Sequence, residues 1–246
     1  MAGSGLLQPE HLEATSVEFD SRQALIPAPP HSSDAGDWLA HFDQIYREAA
    51  GDTSRIPWAH RQACPALISW LNAEAPSLVR CGARAAVVGC GLGEDALALL
   101  QRGYDVTAFD ACPEAIRSAR ALHQNEAETF VQADLLDLPG RLRGRFELVV
   151  EVHTLQALPP SCRVDLARGM AELLTHRGQS LLVAVARGRD ESIPLYELAG
   201  PPFPLTSEEL EQTMRSAGLS PMVPIDDWMD DRSPPVRRLR GVFRRG

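Results

Sequence analysis

The sequence predicts an α/β fold: a mostly parallel sheet with helices on both faces, finished by an antiparallel C-terminal hairpin. Three observations carry this. From Ala85 onward apolar strand patterns alternate with helical ones, and such alternation implies a parallel sheet covered on both sides. The first strand, 85–88, breaks into Gly89, Gly91 and Gly93 directly before a helical pattern. Past Gly218 the alternation stops, and two strand-like runs, about 220–225 and 236–244, follow without a helix between them, as an edge hairpin requires.

The elements follow in order. Residues 1–36 are polar, broken by Pro27, Pro29 and Pro30, and read as a flexible leader or lid. Asp37 is the expected N-cap of a first helix, on which Trp38, Phe42, Ile45, Tyr46 and Ala49 share one face. A second helix starts after Pro65 and carries Leu67, Ile68 and Leu71. Residues 37–80 thus read as cover helices, and 85–246 as the core of one domain spanning 37–246. The core reads as strand 85–88, helix 94–102, strand 105–109 and helix 113–123, with Pro113 in the first turn where a missing N–H costs nothing. Strands 129–132 and 146–150 follow, then helix 160–174 ending at His176-Arg177-Gly178, strand 180–186, and helix 207–217 capped by Thr206 or Ser207.

Composition narrows the function. A formal net charge of −9 over 246 residues argues against nucleic acid as a partner; the basic stretch Arg237, Arg238, Arg240, Arg244, Arg245 reads as a solvated strand face. No apolar run reaches the ~20 residues of a membrane span. The five cysteines are scattered and lack C-x-x-C spacing, so they read as reduced thiols in the cytoplasm. The histidines form no metal-ligand pattern, and no metal is expected.

The glycine loop points to a nucleoside ligand. In an open α/β sheet, ligands bind at the carboxyl ends of the strands. Glycines let the backbone approach a ligand closely, and the following helix start offers unpaired N–H groups. Asp110, at the tip of the next strand, can accept from both hydroxyls of a ribose. The spacing selects among nucleosides. A dinucleotide fingerprint is G-x-G-x-x-G. Here it is G-x-G-x-G, with Glu94 where a pyrophosphate would lie. S-adenosylmethionine carries a ribose and an adenine but no phosphate, and is the expected cofactor. Asp134, at the third strand tip, can accept from the adenine amino group while the Leu135 N–H serves a ring nitrogen; a turn cap is the competing role for Asp134.

At this point the chain resembles the class I S-adenosylmethionine-dependent methyltransferases, and more narrowly the thiopurine S-methyltransferase-like small-molecule branch. The resemblance rests on Val88-Gly89-Cys90-Gly91-Leu92-Gly93-Glu94-Asp95, Arg102-Gly103-Tyr104-Asp105, Phe146-Glu147-Leu148-Val149-Val150-Glu151, Ala157-Leu158-Pro159-Pro160, Gly200-Pro201-Pro202-Phe203-Pro204-Leu205 and Pro234-Pro235-Val236-Arg237-Arg238. It implies a Rossmann-like seven-stranded sheet with its last strand inserted antiparallel. It also implies a donor site from Gly89, Cys90, Gly91, Gly93, Asp110, Ala111, Asp134, Leu135 and Glu151, with the Trp38 helix over it. One departure bears on that site: many members carry an acid two residues before the first glycine, and this chain has Val87.

Methyl transfer from a sulfonium to a small-molecule sulfur, oxygen or nitrogen nucleophile is an in-line displacement, so a base is needed only where the acceptor arrives protonated. His153, just past the fourth strand tip, is the candidate catalytic base; a polar loop cap is the competing role. Trp58 and Arg187 join His153 as candidate acceptor contacts, Trp58 and Trp38 as aromatic walls for a cation and Arg187, with Arg189, as a partner for an acidic group; core packing is the competing role for Trp38, and a solvated loop for the two arginines. His41 and His60 read as surface or core residues. Two other functions remain open: a non-catalytic nucleoside-binding protein with this fold, and a nicotinamide-dependent oxidoreductase, which the glycine spacing disfavours.

Overall fold

The computed structural model describes residues 32–187 and 201–246. The expected leader up to residue 31, Arg189 and Gly200 lie outside them. The strands are β1 (Arg84–Val88), β2 (Asp105–Asp110), β3 (Phe130–Gln132), β4 (Phe146–Val152), β5 (Leu174–Val185), β6 (Leu219–Pro221), β7 (Asp226–Met229) and β8 (Arg237–Arg245). The helices are α1 (Ala35–Ala49), α2 (Pro65–Ala73), α3 (Ala75–Leu78), α4 (Glu94–Leu100), α5 (Pro113–Leu122), α6 (Arg163–Leu173) and α7 (Ser207–Ser216). The sheet runs β3-β2-β1-β4-β5-β8-β6, with β7 paired to β8 outside that row. Strands β1 to β5 are parallel and β8 is inserted antiparallel between β5 and β6.

Both faces are buried, which explains the unbroken apolar strands. Ala85 and Val87 face a layer containing Trp70 and Leu99, while Ala86 and Val88 face the layer of Phe109, Val149 and Met170. The chain leaves β1 toward β2 and β3, then returns to β4 on the other side. Strand order therefore reverses between β1 and β4, and the crevice beyond their carboxyl ends is where an open α/β sheet takes a ligand.

Cover helix α1 docks over that crevice. Tyr46, Ala49 and Ile56 pack on Leu92, Cys112 and Ala115 in a cluster of their own, where each large apolar side chain contributes roughly 1.5–3 kcal/mol. Asp43 adds a directional tie, its Oδ1 accepting from the Glu114 N–H at 2.9 Å.

Four expectations need correcting. The N-cap of α1 is Asp34, not Asp37: its carboxylate accepts from the Gly36 N–H at 2.7 Å, and Asp37 falls in the first turn, where an acid suits the helix dipole. Helix α6 ends at Leu173 rather than 174, and β5 starts at Leu174 rather than near 180. Leu174 pairs with Phe146, and a bulge, with Arg177 at φ 67°, absorbs the extra residues before Gln179 pairs with Leu148. The Asp-rich connection after β6 forms a strand, β7, so among the described residues the sheet has eight strands and not seven. The edge of β8 is long enough for both: β6 pairs residues 243–245 and β7 pairs residues 237–240. Finally, the basic stretch of β8 is only partly a solvated face: Arg244 is exposed, while its neighbours are tied down. Arg237 holds Asp227, Arg238 holds Asp230, Arg240 holds Asp226 and Glu74, and Arg245 donates to the Leu174 carbonyl.

Candidate active site

The site begins where β1 ends. Val88 pairs with Glu151 of β4, so the glycine loop leaves the sheet beside that carboxylate. A Cβ on Gly89 (φ 57°) would sit 2.2 Å from Thr154 Oγ1, and one on Gly93 (φ 98°) 2.5 Å from the Phe130 ring; packing alone requires glycine at both. The loop is pinned to the next strand. Cys90 N–H donates to the Phe109 carbonyl at 3.0 Å. Asp110 accepts from Gly91 N–H at 3.1 Å on one carboxylate oxygen and from Cys112 N–H at 2.9 Å on the other. Burial pushes the Asp110 pKa up against the pull of these two donors. Each oxygen keeps a lone pair, so Asp110 can still accept from a pair of vicinal hydroxyls. Ala111, beside it, has its carbonyl 3.4 Å from Gln132 Nε2.

Glu151 is the unusual member. It is 1% exposed. Oε1 accepts from the N–H groups of Thr154 and Leu155, whereas Oε2 is buried with no protein partner. Burial pushes its carboxyl up to about 7, against those two N–H donors. A buried carboxylate oxygen without a partner is costly, and an ammonium group is its natural complement. The acid missing at Val87 is thus available from the neighbouring strand. Past β3, Asp134 Oδ1 accepts from the Leu136 N–H at 2.8 Å, so it caps the turn and keeps its second oxygen for a ligand. Leu135 packs so closely on α6 that a Cβ on Gly169 would lie 2.4 Å from its carbonyl oxygen.

Above the loop, α1 contributes Tyr46, which sequence reasoning read only as part of an apolar stripe. Its hydroxyl accepts from Trp58 Nε1 at 2.8 Å and stands 3.2 Å from where a Gly91 Cβ would be. Burial, then the charge of Asp110, push its pKa well above the ordinary phenol value. Trp58 lies edge-on to Tyr46 and Phe42 and is partly exposed. Trp38 is buried in the main core, edge-to-face on Phe203 at 5.4 Å, with its Nε1 donating to the Ser32 carbonyl. That is the core position its place on the apolar stripe of α1 also allows.

The far end of the crevice brings His153 under the influence of two arginines. His153 has φ 69°, uncommon for a non-glycine residue. Its N–H donates to the Val183 carbonyl at 2.9 Å, and its Nδ1 is buried without a partner. Burial, followed by the charges of Arg238, Arg232 and His60, pushes the imidazole down to about 4. These residues converge because β8 runs antiparallel: Arg238 pairs with Val185 on β5, at the same end of the sheet as His153. Asp230 Oδ2 takes Arg238 Nε at 2.9 Å and Arg232 Nε at 3.4 Å. One carboxylate thus holds two guanidiniums at once, the more exposed Arg232 by the longer contact. Arg187 is placed elsewhere, paired with Glu209 of α7. His60, read as a surface or core residue, is at the surface, and burial, followed by the charges of Arg232 and Arg238, lowers its pKa. Arg238 lies in the Pro234–Arg238 segment that carries the resemblance, but only its β8 pairing with Val185 brings it to the β5 tip; Arg232 carried no local signal.

Among the described residues no cluster of three or more His, Cys, Asp or Glu side chains could hold a metal, and no helix is long and apolar enough to cross a membrane.

An order reversal at β1 and β4, a glycine loop tied to an acid on β2, and a buried acid on β4 together define the class: an S-adenosylmethionine-dependent methyltransferase. Solved structures share the architecture. One, from a study of the conversion of a disulfide bond into a thioacetal group during echinomycin biosynthesis, superimposes with TM-score 0.66 at 25% identity, covering 84% of this chain and 92% of that one. The 1,6-didemethyltoxoflavin-N1-methyltransferase of Burkholderia thailandensis, solved with S-adenosylhomocysteine, has TM-score 0.66 at 19% identity over 89% and 93%. The chain belongs to the thiopurine S-methyltransferase (TPMT) family, whose family model matches residues 48–223. Among curated relatives it is similar to thiopurine S-methyltransferase of Vibrio vulnificus (strain YJ016), 28% identical over 61% of this chain and 71% of that protein, and to thiocyanate methyltransferase 1 of Brassica oleracea, 24% identical over 69% and 70%. Family membership makes it an enzyme that uses S-adenosylmethionine, which sets aside the non-catalytic and nicotinamide-dependent alternatives.

Proposed function

We propose that this enzyme methylates a small acceptor that reacts as an anion, with a thiolate the leading case, in the cytoplasm. The bound donor supplies an electrophilic methyl carbon on a sulfonium. The residues do the rest. Asp110 and the pinned loop of Gly89, Cys90, Gly91, Gly93 and Ala111 hold the ribose side. Asp134 and the Leu135 N–H take the adenine edge, and Glu151 Oε2 takes the ammonium of the amino-acid tail. Tyr46, Trp58 and the Trp38 wall exclude water from the transfer. Holding nucleophile, carbon and sulfur in line can supply ~7–11 kcal/mol of the barrier.

The carrying observation is the pair of guanidiniums sharing Asp230 beside the neutral His153. Magnitudes decide how the acceptor loses its proton. An imidazole near 4 facing a thiol near 8.5 makes transfer uphill by about 6 kcal/mol. A guanidinium next to the acceptor instead favours its own ionisation. His153 is therefore a positioning hydrogen-bond partner in this reading, not a strong base, and Arg187 anchors α7. Sulfur is preferred because the thiopurine and thiocyanate methyltransferases resembled here are named for sulfur acceptors.

The test is a panel of aromatic thiols, phenols and amines assayed for methylated product with wild type and Arg238→Gln. Thiols should turn over fastest, and Arg238→Gln should raise their KM about fivefold while leaving the KM for donor within twofold. Equal turnover of amines and thiols, or indifference to Arg238, would sink the proposal.

A further inference from the structure

Arg163 opens α6 and is 4% exposed, yet no carboxylate lies within hydrogen-bonding distance among its contacts. Nη2 donates to the Phe203 carbonyl at 2.7 Å and to the Pro204 carbonyl at 3.4 Å, while Nε is buried without a partner. Burial pulls its pKa down to about 10, with Glu209 raising it and Arg187 lowering it. Burying a guanidinium in this way is costly, and an apolar side chain of similar size would pack there more cheaply. The arrangement makes sense if the donors hold something that must stay in place.

What they hold is the strap 201–206. Pro201, Pro202 and Pro204 have no N–H, so the strap cannot complete a β ladder on its own. It borrows partners instead. Phe203 N–H donates to the Gln156 carbonyl at 2.8 Å, Leu205 N–H to the Val185 carbonyl at 3.3 Å, and Arg187 N–H to the Leu205 carbonyl at 3.0 Å. Arg163 supplies the donors for the two remaining carbonyls at its centre. Held there, the Phe203 ring meets Trp38 of α1 edge-to-face, on the β4–β5 side of the crevice that the donor leaves for the acceptor.

We propose that Arg163 is a positioning residue: by fixing the buried Phe203–Trp38 pair it sets how the strap and cover helix α1 close on the β4–β5 side, and so how bulky an acceptor can be admitted. The selectivity rests on the methyl-transfer reading above; the anchoring does not.

The experiment uses the full chain saturated with S-adenosylhomocysteine for amide hydrogen exchange, and with S-adenosylmethionine for turnover of thiophenol and hydrosulfide. In Arg163→Met, exchange at the Phe203 and Leu205 amides and in the first turns of α1 should rise at least tenfold, with β1 and β4 unchanged. The KM for thiophenol should rise about tenfold, that for hydrosulfide and for donor staying within twofold, and kcat within threefold. Arg163→Lys, which keeps a donor for one carbonyl, should recover most of both effects. Phe203→Ala, which leaves Arg163 in place, should reproduce the KM change for thiophenol and spare that for hydrosulfide, which keeps the test alive should Arg163→Met fail to fold. Unchanged strap exchange, a uniform rise across the sheet, or an unchanged thiophenol KM in Phe203→Ala would overturn the proposal. Should wild type methylate neither thiol, the acceptor reading fails, while the exchange result still decides the anchoring.

Discussion

The two halves of the crevice are built by different means. At the two site acids, the polar contacts come from groups close in sequence or one strand apart: Gly91 and Cys112 on Asp110, Thr154 and Leu155 on Glu151. Toward β5, the interactions join elements far apart in the chain: the charges of Arg238 and Arg232 acting on His153, and Arg163 hydrogen-bonded to the strap. The first half is local backbone geometry, suited to a cofactor that never changes. The second depends on β8 register and on long side chains, and can be retuned for a new acceptor without disturbing the first.

The largest effect that would break this contrast belongs to Asp110. Asp110→Ala removes the hydroxyl acceptor and strands the Gly91 and Cys112 N–H groups. Calorimetry with S-adenosylhomocysteine should show affinity lower by about 2 kcal/mol, roughly thirtyfold. An affinity within threefold of wild type would mean the ribose lies elsewhere.

Glu151→Gln comes next and sharpens the contrast through pH. Wild-type affinity for S-adenosylhomocysteine should rise with pH until the carboxyl, near 7, is ionised; in Glu151→Gln it should be about tenfold weaker at pH 8 and flat between pH 6 and 8. The free protein carries the opposite sign. Glu151 is raised from an ordinary 4.5, so the folded state binds its proton more tightly. Its contribution to stability is whole below pH 4.5 and is lost as pH climbs through 7. The difference in urea midpoint between wild type and Glu151→Gln should fall over that window. A difference that rises there would show that Oε2 has a protein cation after all.

The smallest effect is expected at His153. An imidazole near 4 is neutral throughout pH 5–8, and His153→Gln keeps a hydrogen-bonding group in place. Its kcat should drop less than tenfold, with no change in the shape of the pH–rate profile. A general base would lose 10²–10⁴ and its acid limb.

The same contrast explains what was legible in the sequence. The glycine loop, Asp110, Asp134 and Glu151 obey rules of spacing at strand tips, so their place could be read off the chain. The location of His153 could be read too, but its chemistry could not, because Arg232, Arg238 and His60 come from other elements. Arg187 looked like an acceptor contact because it follows β5, and the capping box of α7 is what claims it through Glu209. Tyr46 hid inside the apolar stripe that places it, since the same helical spacing serves core and site. Arg163 gave no signal, as nothing in a helix start predicts a buried cation serving a proline-rich strap. Strand β7 was missed because its acids look like a solvated connection until the arginines of β8 are set opposite them.

If the reversal between β1 and β4 grips the donor from both sides, a crystal structure with S-adenosylhomocysteine will show it. The ligand ammonium should lie within hydrogen-bonding distance of Glu151 Oε2, with both ribose hydroxyls on Asp110. A ligand whose ammonium points away from Glu151, leaving Oε2 buried and unpaired, would contradict it.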